Sequence, residues 1–159
     1  MAPQPHTLIA PAQTVLWSST IITQDTMHAS PTLLSGNDRL IDQWHRCQKW
    51  ISDALEYSGG THSMDDVFGA VAVGDAQLHP LEKSCIITEV VDYPQMSVCR
   101  IWLAGGDLDE LMDAEKSISI WAKSLGCDAM EINGRMGWKR QLKDYKATSV
   151  VLTKDLRDE

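Results

Sequence analysis

Gly105 and Gly106 stand between a strand-forming run, Val98-Cys99-Arg100-Ile101-Trp102-Leu103, and a run with helical spacing that begins near Asp107. A strand that opens through paired glycines into a helix leaves the first N–H groups of that helix without partners, and those donors can hold an anion. The next residues oppose this. Asp107, Asp109 and Glu110 place three carboxylates in the first helical turn, where they favour the helix start but repel a phosphate unless cations lie opposite. Arg135, Lys139 and Arg140 are the cations available for that purpose.

Proton transfer needs a different group. Glu89 and Asp92, within Thr88-Glu89-Val90-Val91-Asp92-Tyr93, are carboxylates on a strand, and Glu89 is the candidate base for removing a proton from an amine. Trp44, Trp50, Trp102 and Trp121 fall in amphipathic runs and read as core, whereas Trp138, beside Gly137 and basic residues, reads as a pocket wall. Cys47, Cys85, Cys99 and Cys127 form no CxxC pair and have no matched spacing to histidine. They read as small buried hydrophobes, and no metal is expected. His45 and Cys47 are two residues apart, which on a helix turns them to nearly opposite sides.

The elements that must position these groups follow from periodicity. Leu40, Trp44, Cys47, Ile51 and Ala54 form one helical stripe after the caps at 35–38, and Gly59-Gly60 ends it. Ser63 caps a second, shorter helix with Asp65 and Asp66 in its first turn and Gly74 at its end. The period then changes: residues 77–81, 84–93 and 97–103 read as three strands of an antiparallel meander. Leu108, Leu111, Ala114, Ile118, Trp121, Ala122 and Leu125 give the long helix a stripe facing a sheet, and Gly126 closes it. Residues 128–132 read as a strand parallel to the one before the helix. Residues 138–146 suit a basic helix and 148–154 a last strand, followed by a charged tail.

At 159 residues, with 43% hydrophobic and 23% charged residues, the chain has the size and composition of one folded domain. The net charge of −8 argues against a broad nucleic-acid surface, which depends on clustered Lys and Arg; the basic run at 139–146 is the one cationic cluster, and an anionic partner is expected there first. No stretch approaches the length of a membrane span. Residues 1–36 differ from the domain at 37–159. They hold no Lys or Arg, one acid (Asp25) and four prolines. A floppy leader, a first strand with a tail, or an arm that packs on a partner all fit, and the low charge favours the strand or arm. With the first cation at Arg39, a basic signal-peptide region is not seen, and an intracellular protein is the simplest expectation.

The predicted order is strand, helix, helix, three-strand meander, long helix, strand, helix, strand, with the glycine pair before the long helix. Over residues 37–154 this order resembles the GNAT (Gcn5-related N-acetyltransferase) family. The phrases Arg100-Ile101-Trp102-Leu103-Ala104-Gly105-Gly106-Asp107-Leu108, Trp121-Ala122-Lys123-Ser124-Leu125-Gly126-Cys127 and Gly134-Arg135-Met136-Gly137-Trp138-Lys139-Arg140 are similar to small GNAT-like proteins encoded by bacteriophages. The resemblance implies an α+β fold, with a GNAT-like mixed sheet of an antiparallel meander plus a parallel crossover strand, flanked by helices. It implies an acyl-CoA-dependent N-acyltransferase that takes acetyl-CoA and an amine of unknown identity, without a metal. Trp102, Leu103 and Ala104 then line the pantetheine arm, Gly105, Gly106, Asp107 and Leu108 form the diphosphate turn, and Asn133 borders the cofactor. Two features depart from the family pattern. Its Arg/Gln-x-x-Gly-x-Gly/Ala phrase is absent, and Tyr145 aligns with a terminal aromatic rather than with the usual catalytic tyrosine. The resemblance equally allows a non-catalytic virion or assembly protein whose N-terminal arm packs on phage structural proteins. Host cytoplasm or virion is the corresponding location.

Overall fold

The computed structural model describes residues 36–157. The strand and arm read within 1–36 therefore lie outside the described residues, Gly36 excepted. The described chain is α+β, a four-stranded mixed sheet flanked by helices.

Two helices come first. α1 spans Gly36–Leu55 and buries Trp44, Cys47 and Ile51, members of the predicted stripe. α2 spans Met64–Val73. It starts in a capping box, with Ser63 accepting from the Asp66 N–H while Asp66 accepts from the Ser63 N–H, and ends at Gly74 in the left-handed conformation. The strands are β1 (Ala76–Pro80), β2 (Ser84–Tyr93) and β3 (Met96–Gly106), joined as the expected meander. α3 (Leu108–Ser124) crosses one face and delivers β4 (Ala129–Ile132) parallel to β3. A single turn, α4, spans Trp138–Gln141.

The sheet separates two cores. On one face Trp44, Cys47, Ile51, Val67 and Val71 from α1 and α2 pack on Ala76, Cys85, Ile87 and Leu103. On the other, Leu111, Ile118 and Ala122 of α3 pack on Ile86, Cys99 and Ile101. Ile101 and Leu103 are two apart yet face opposite cores, because the β2–β3 register shifts between them: Thr88 pairs with Ile101 and Ile87 with Leu103, which leaves Trp102 as an extra residue. Such a bulge bends and twists the strand that carries it.

Three expectations need correction. The glycine turn is no turn: Gly105 and Gly106 are the last residues of β3, paired with Cys85 and Ser84. Neither has room for a side chain. A Cβ on Gly105 would lie 2.5 Å from the Trp50 carbonyl oxygen, and one on Gly106, whose φ is +115°, would lie 2.4 Å from the Lys83 carbonyl oxygen. The helix read over 138–146 stops at Gln141, because Leu142 is buried and the Tyr145 hydroxyl reaches down to Glu115 on α3, which draws the chain out of helical geometry. The strand read over 148–154 does not form; a strand needs an edge to bond to, and here Val150, Val151 and Leu152 extend into solvent.

Polar groups inside the sheet are few. Cys47, Cys85 and Cys99 are buried thiols; the contact with Cys47, together with burial, pushes the Cys85 thiol up, and burial raises Cys99 to about 11. His79 of β1 sits under α3, edge-on to Trp121 with ring centroids 5.0 Å apart and Nε2 2.9 Å from Thr88 Oγ1. Burial lowers its pKa from 6.5 to about 4.

Replacing Gly105 or Gly106 with Ala is expected to cost about 3 kcal/mol or more, from backbone overlap and, at 106, left-handed strain. Gly69→Ala, in the exposed middle of α2 with open space around it, is expected to add about 0.5–1 kcal/mol. Urea denaturation of the three variants checks both signs. For His79, the unfolded chain takes a proton below pH 6.5 while the folded chain resists until about 4, so stability present above pH 6.5 is lost as the pH falls. Between pH 7 and 5 the wild type is expected to lose about 2 kcal/mol more than His79→Leu, measured by denaturation at the two pH values.

Candidate functional site

β3 pairs with β2 along its whole length, but with β4 only from Val98↔Ala129 to Ile101↔Ile132. Beyond that last pair the two chains part. The bulge at Trp102 falls at the fork and turns β3 away, while β4 ends in the loop at 133–137. The edge of Trp102–Gly106 that faces away from β2 thus has no strand beside it among the described residues, and an extended molecule bearing amides can pair with such an edge.

A cleft of about 900 Å³ fills this fork. Its walls are β3 from Arg100 to Gly106, the loop between α1 and α2, the first turns of α3, and the chain from Ile132 to Trp138. Of the residues singled out in the sequence, Glu89, Trp102, Leu103, Ala104, Gly105, Gly106, Leu108 and Asn133 all line it, as does Trp138. Asp107 does not. Its side chain caps α3 by accepting from the Glu110 N–H at 2.9 Å, and its own N–H donates to the Lys83 carbonyl at 3.2 Å.

The start of α3 is already supplied with anions from the chain itself. Besides the Asp107 cap, the Glu110 carboxylate accepts from the Lys83 N–H at 2.9 Å, the Glu82 N–H at 3.0 Å and the Ser84 hydroxyl. The Ser84 bond, with those two N–H groups, holds the Glu110 carboxyl below the usual range. Of the three carboxylates that looked hostile to a phosphate in the sequence, Glu110 is tied into the β1–β2 loop and Asp107 caps the helix. Together with the filled space around both glycines, this makes the strand end a packing joint.

The candidate base is also engaged. Glu89 accepts from Arg100 Nη1 at 3.0 Å, and Arg100 Nε donates to Glu131 at 2.7 Å, a charged row across β2, β3 and β4 that follows the strand register. Partial burial works against the Arg100 charge, but the bonds to Glu131 and Glu89 outweigh it and raise its pKa. Glu115 of α3, which also lines the cleft, accepts from the Ser119 hydroxyl at 2.6 Å and the Tyr145 hydroxyl at 2.7 Å. Burial, with that carboxylate, pushes the Tyr145 phenol up.

Two further residues, His62 and Tyr57, emerge that periodicity could not place at a site, because they sit outside the regular elements, and Arg135, read in the sequence only as a counter-charge, joins them. His62 packs edge-on against Trp102 with centroids 4.8 Å apart. Tyr57 and Arg135 meet across the cleft, the Arg135 guanidinium carbon 4.0 Å from the centre of the Tyr57 ring. Among the described residues no group of three His, Cys, Asp or Glu side chains is arranged to hold a metal ion, and no helix is long and apolar enough to cross a membrane.

No family model matches the sequence, nor does any curated protein sequence. The backbone is similar to solved structures of TTHA1254 from Thermus thermophilus, in wild-type and mutant form. The TM-scores are 0.51 and 0.52 at 12% and 13% identity, over 74% of this chain and 93% of that chain. It is the backbone similarity that establishes a shared fold.

The Glu110 arrangement gives a measurable signature. A carboxyl held below the 4.5 of a free glutamate contributes stability above that pH and loses it as the pH falls through the lowered value. Glu110→Gln is expected to melt below the wild type at pH 7 and level with it at about pH 2 to 3, the approximate acid limit of carboxylate titration, as followed by thermal denaturation.

Proposed function

We propose that the fork between β3 and β4 holds the pantetheine arm of an acyl-CoA, and that the protein is a GNAT-like N-acyltransferase acting on an amine. The observation that supports this reading is the open edge of Trp102–Gly106 facing the cleft beside Asn133. The pantetheine arm carries two amides in an extended chain, which match the alternating donors and acceptors of an unpaired strand. Leu103, Leu108 and Leu111 along the cleft supply apolar surface for its methylene groups.

The thioester supplies an activated acyl carbon, and the amine must reach it deprotonated. Glu89 is held by Arg100 and Glu115 by two hydroxyls, so neither has an oxygen pair free of partners. Asp53 and Asp66 are likewise bonded, to Lys49 and Ser63. The carboxylate of Asp75, and the imidazole of His62, which stands against Trp102 with its Nδ1 2.9 Å from Thr61 Oγ1, are further proton acceptors on the cleft wall. Asp53, Asp66 and Asp75 together make the α1–α2 side of the cleft acidic, which favours a cationic amine. In this reading catalysis is chiefly the alignment of amine and thioester.

A second reading draws on the start of α3. Since the Asp107 carboxylate takes the Glu110 N–H there, and the Glu110 carboxylate, bonded to the Glu82 and Lys83 N–H groups, stands in the same turn, carboxylates of the chain already stand at the familiar diphosphate seat of such a fold, which favours a non-catalytic virion or assembly protein. Calorimetric titration with acetyl-CoA separates the two. The enzyme reading expects a dissociation constant of about 1–100 μM and backbone amide shifts concentrated at 102–106 and 133–135. No heat and no shifts at about millimolar ligand, a binding free energy weaker than about −4 kcal/mol, would overturn it in favour of the second.

A further inference from the structure

We propose that Arg135 is the residue that takes the diphosphate of the coenzyme, replacing the strand-end glycines and the start of α3; this rests on the acyl-CoA reading above. The glycines cannot serve as a cradle by virtue of their missing side chains, because Trp50 stands against one and Lys83 and Ser84 against the other. At the helix start the Asp107 carboxylate takes the Glu110 N–H, and the Asp109 and Glu110 carboxylates share the first turn, where they repel an anion. The anion must then be met by a cation from the cleft wall.

Two guanidinium groups line the cleft, Arg100 and Arg135. Arg100 is neutralised by Glu89 and Glu131. Arg135 has no ion pair among the described residues, and its one recorded contact is the face of the Tyr57 ring. Stacking on an aromatic face leaves the N–H groups in the guanidinium plane free, and those are the groups that bind phosphate oxygens in pairs. The ring therefore orients the fork without consuming its donors. Lys139 and Arg140 do not line the cleft, and both are exposed on α4.

Topology places Arg135 on the correct wall. Ile101 and Ile132 are the last pair before the fork; Gly105 lies about 13 Å along β3 from it at about 3.3 Å per residue, and Arg135 three residues along the opposite wall. A chain laid on the β3 edge with its thioester toward Ile101 carries its phosphates outward, toward the mouth that Arg135 and Tyr57 span. Asp53, Asp66 and Asp75 on the α1–α2 side repel a diphosphate, so its affinity hangs on this one uncommitted cation.

Calorimetry with two probes tests the assignment: coenzyme A, and pantetheine, which lacks the diphosphate and nucleotide. Wild type is expected to bind coenzyme A at least about tenfold more tightly, a difference of about 1.4 kcal/mol, with an advantage that shrinks at high salt. Arg135→Gln is expected to abolish the advantage and its salt dependence while binding pantetheine as the wild type does. Arg135→Lys is expected to restore part of it. Arg135 is exposed on a loop, so these variants are expected to fold, and unchanged pantetheine affinity reports that they have. If Arg135→Gln keeps the full preference, or if the wild type binds both probes equally, the assignment of Arg135 is overturned while the cleft reading stands. If neither probe binds at all, the acyl-CoA reading falls, and the assignment with it.

Discussion

One surplus residue governs the shape of the molecule. β2 and β3 pair residue for residue until Thr88 meets Ile101 and Ile87 meets Leu103, and the backbone of Trp102 has no opposite number. The insertion switches which side chains of β3 meet which core: Cys99 and Ile101 face α3 before the bulge, whereas after it Leu103 faces α1 and α2 and Ala104 faces α3. It also turns the strand at the residue where β4 lets go. Core packing and cleft opening are thus two results of the same local irregularity. Ile87, entirely buried beside the shift, anchors it with the full free energy of an enclosed aliphatic side chain, about 1.5–3 kcal/mol.

Electrostatics divide the cleft into zones. The strand row Glu89–Arg100–Glu131 closes its inner end with charges that satisfy one another. At the start of α3, the Glu110 carboxylate is withdrawn into the β1–β2 loop and holds the helix to the sheet, while Asp107 caps the helix. On the α1–α2 side Asp53 is paired with Lys49 and Asp66 is bonded to Ser63, while the Arg135 guanidinium rests on the Tyr57 ring. A cleft that presents both carboxylates and a guanidinium orients a ligand that carries both a cation and an anion.

How far the sequence disclosed this depends on the range of the interaction involved. The Ser63 capping box, the Gly74 stop and the Asp107 cap are made within four residues, and each was readable from the residues themselves. The meander and the crossover to β4 were legible too, since period and connection length determine them. The bulge was not, because nothing in Ile101-Trp102-Leu103 distinguishes an extra residue from an ordinary one; only the partner strand does. Gly105 and Gly106 line the cleft but were read as a turn, because Trp50 and Lys83, which demand the absence of a side chain, are distant in sequence. Residues 148–154 have strand-like composition, but composition carries no information about whether an edge awaits them. Glu89 and 102–106 were placed at the site; Tyr57 and His62 were not, since loop residues show no period, and Arg135 entered only as a possible counter-charge.

The joint at Gly106 also bears on how sequences of this fold can diverge. Its φ of +115° and the Ser84 Cα 2.4 Å from where a Cβ would stand bind the end of β3 to a segment of chain more than twenty residues earlier. A relative with a larger residue at 106 must therefore also have lengthened or re-routed the β1–β2 connection, and with it the Glu110 anchorage. Positions 82–84, 106 and 110 are therefore expected to vary together, and their joint drift across homologues would trace the evolution of this packing joint separately from that of any ligand.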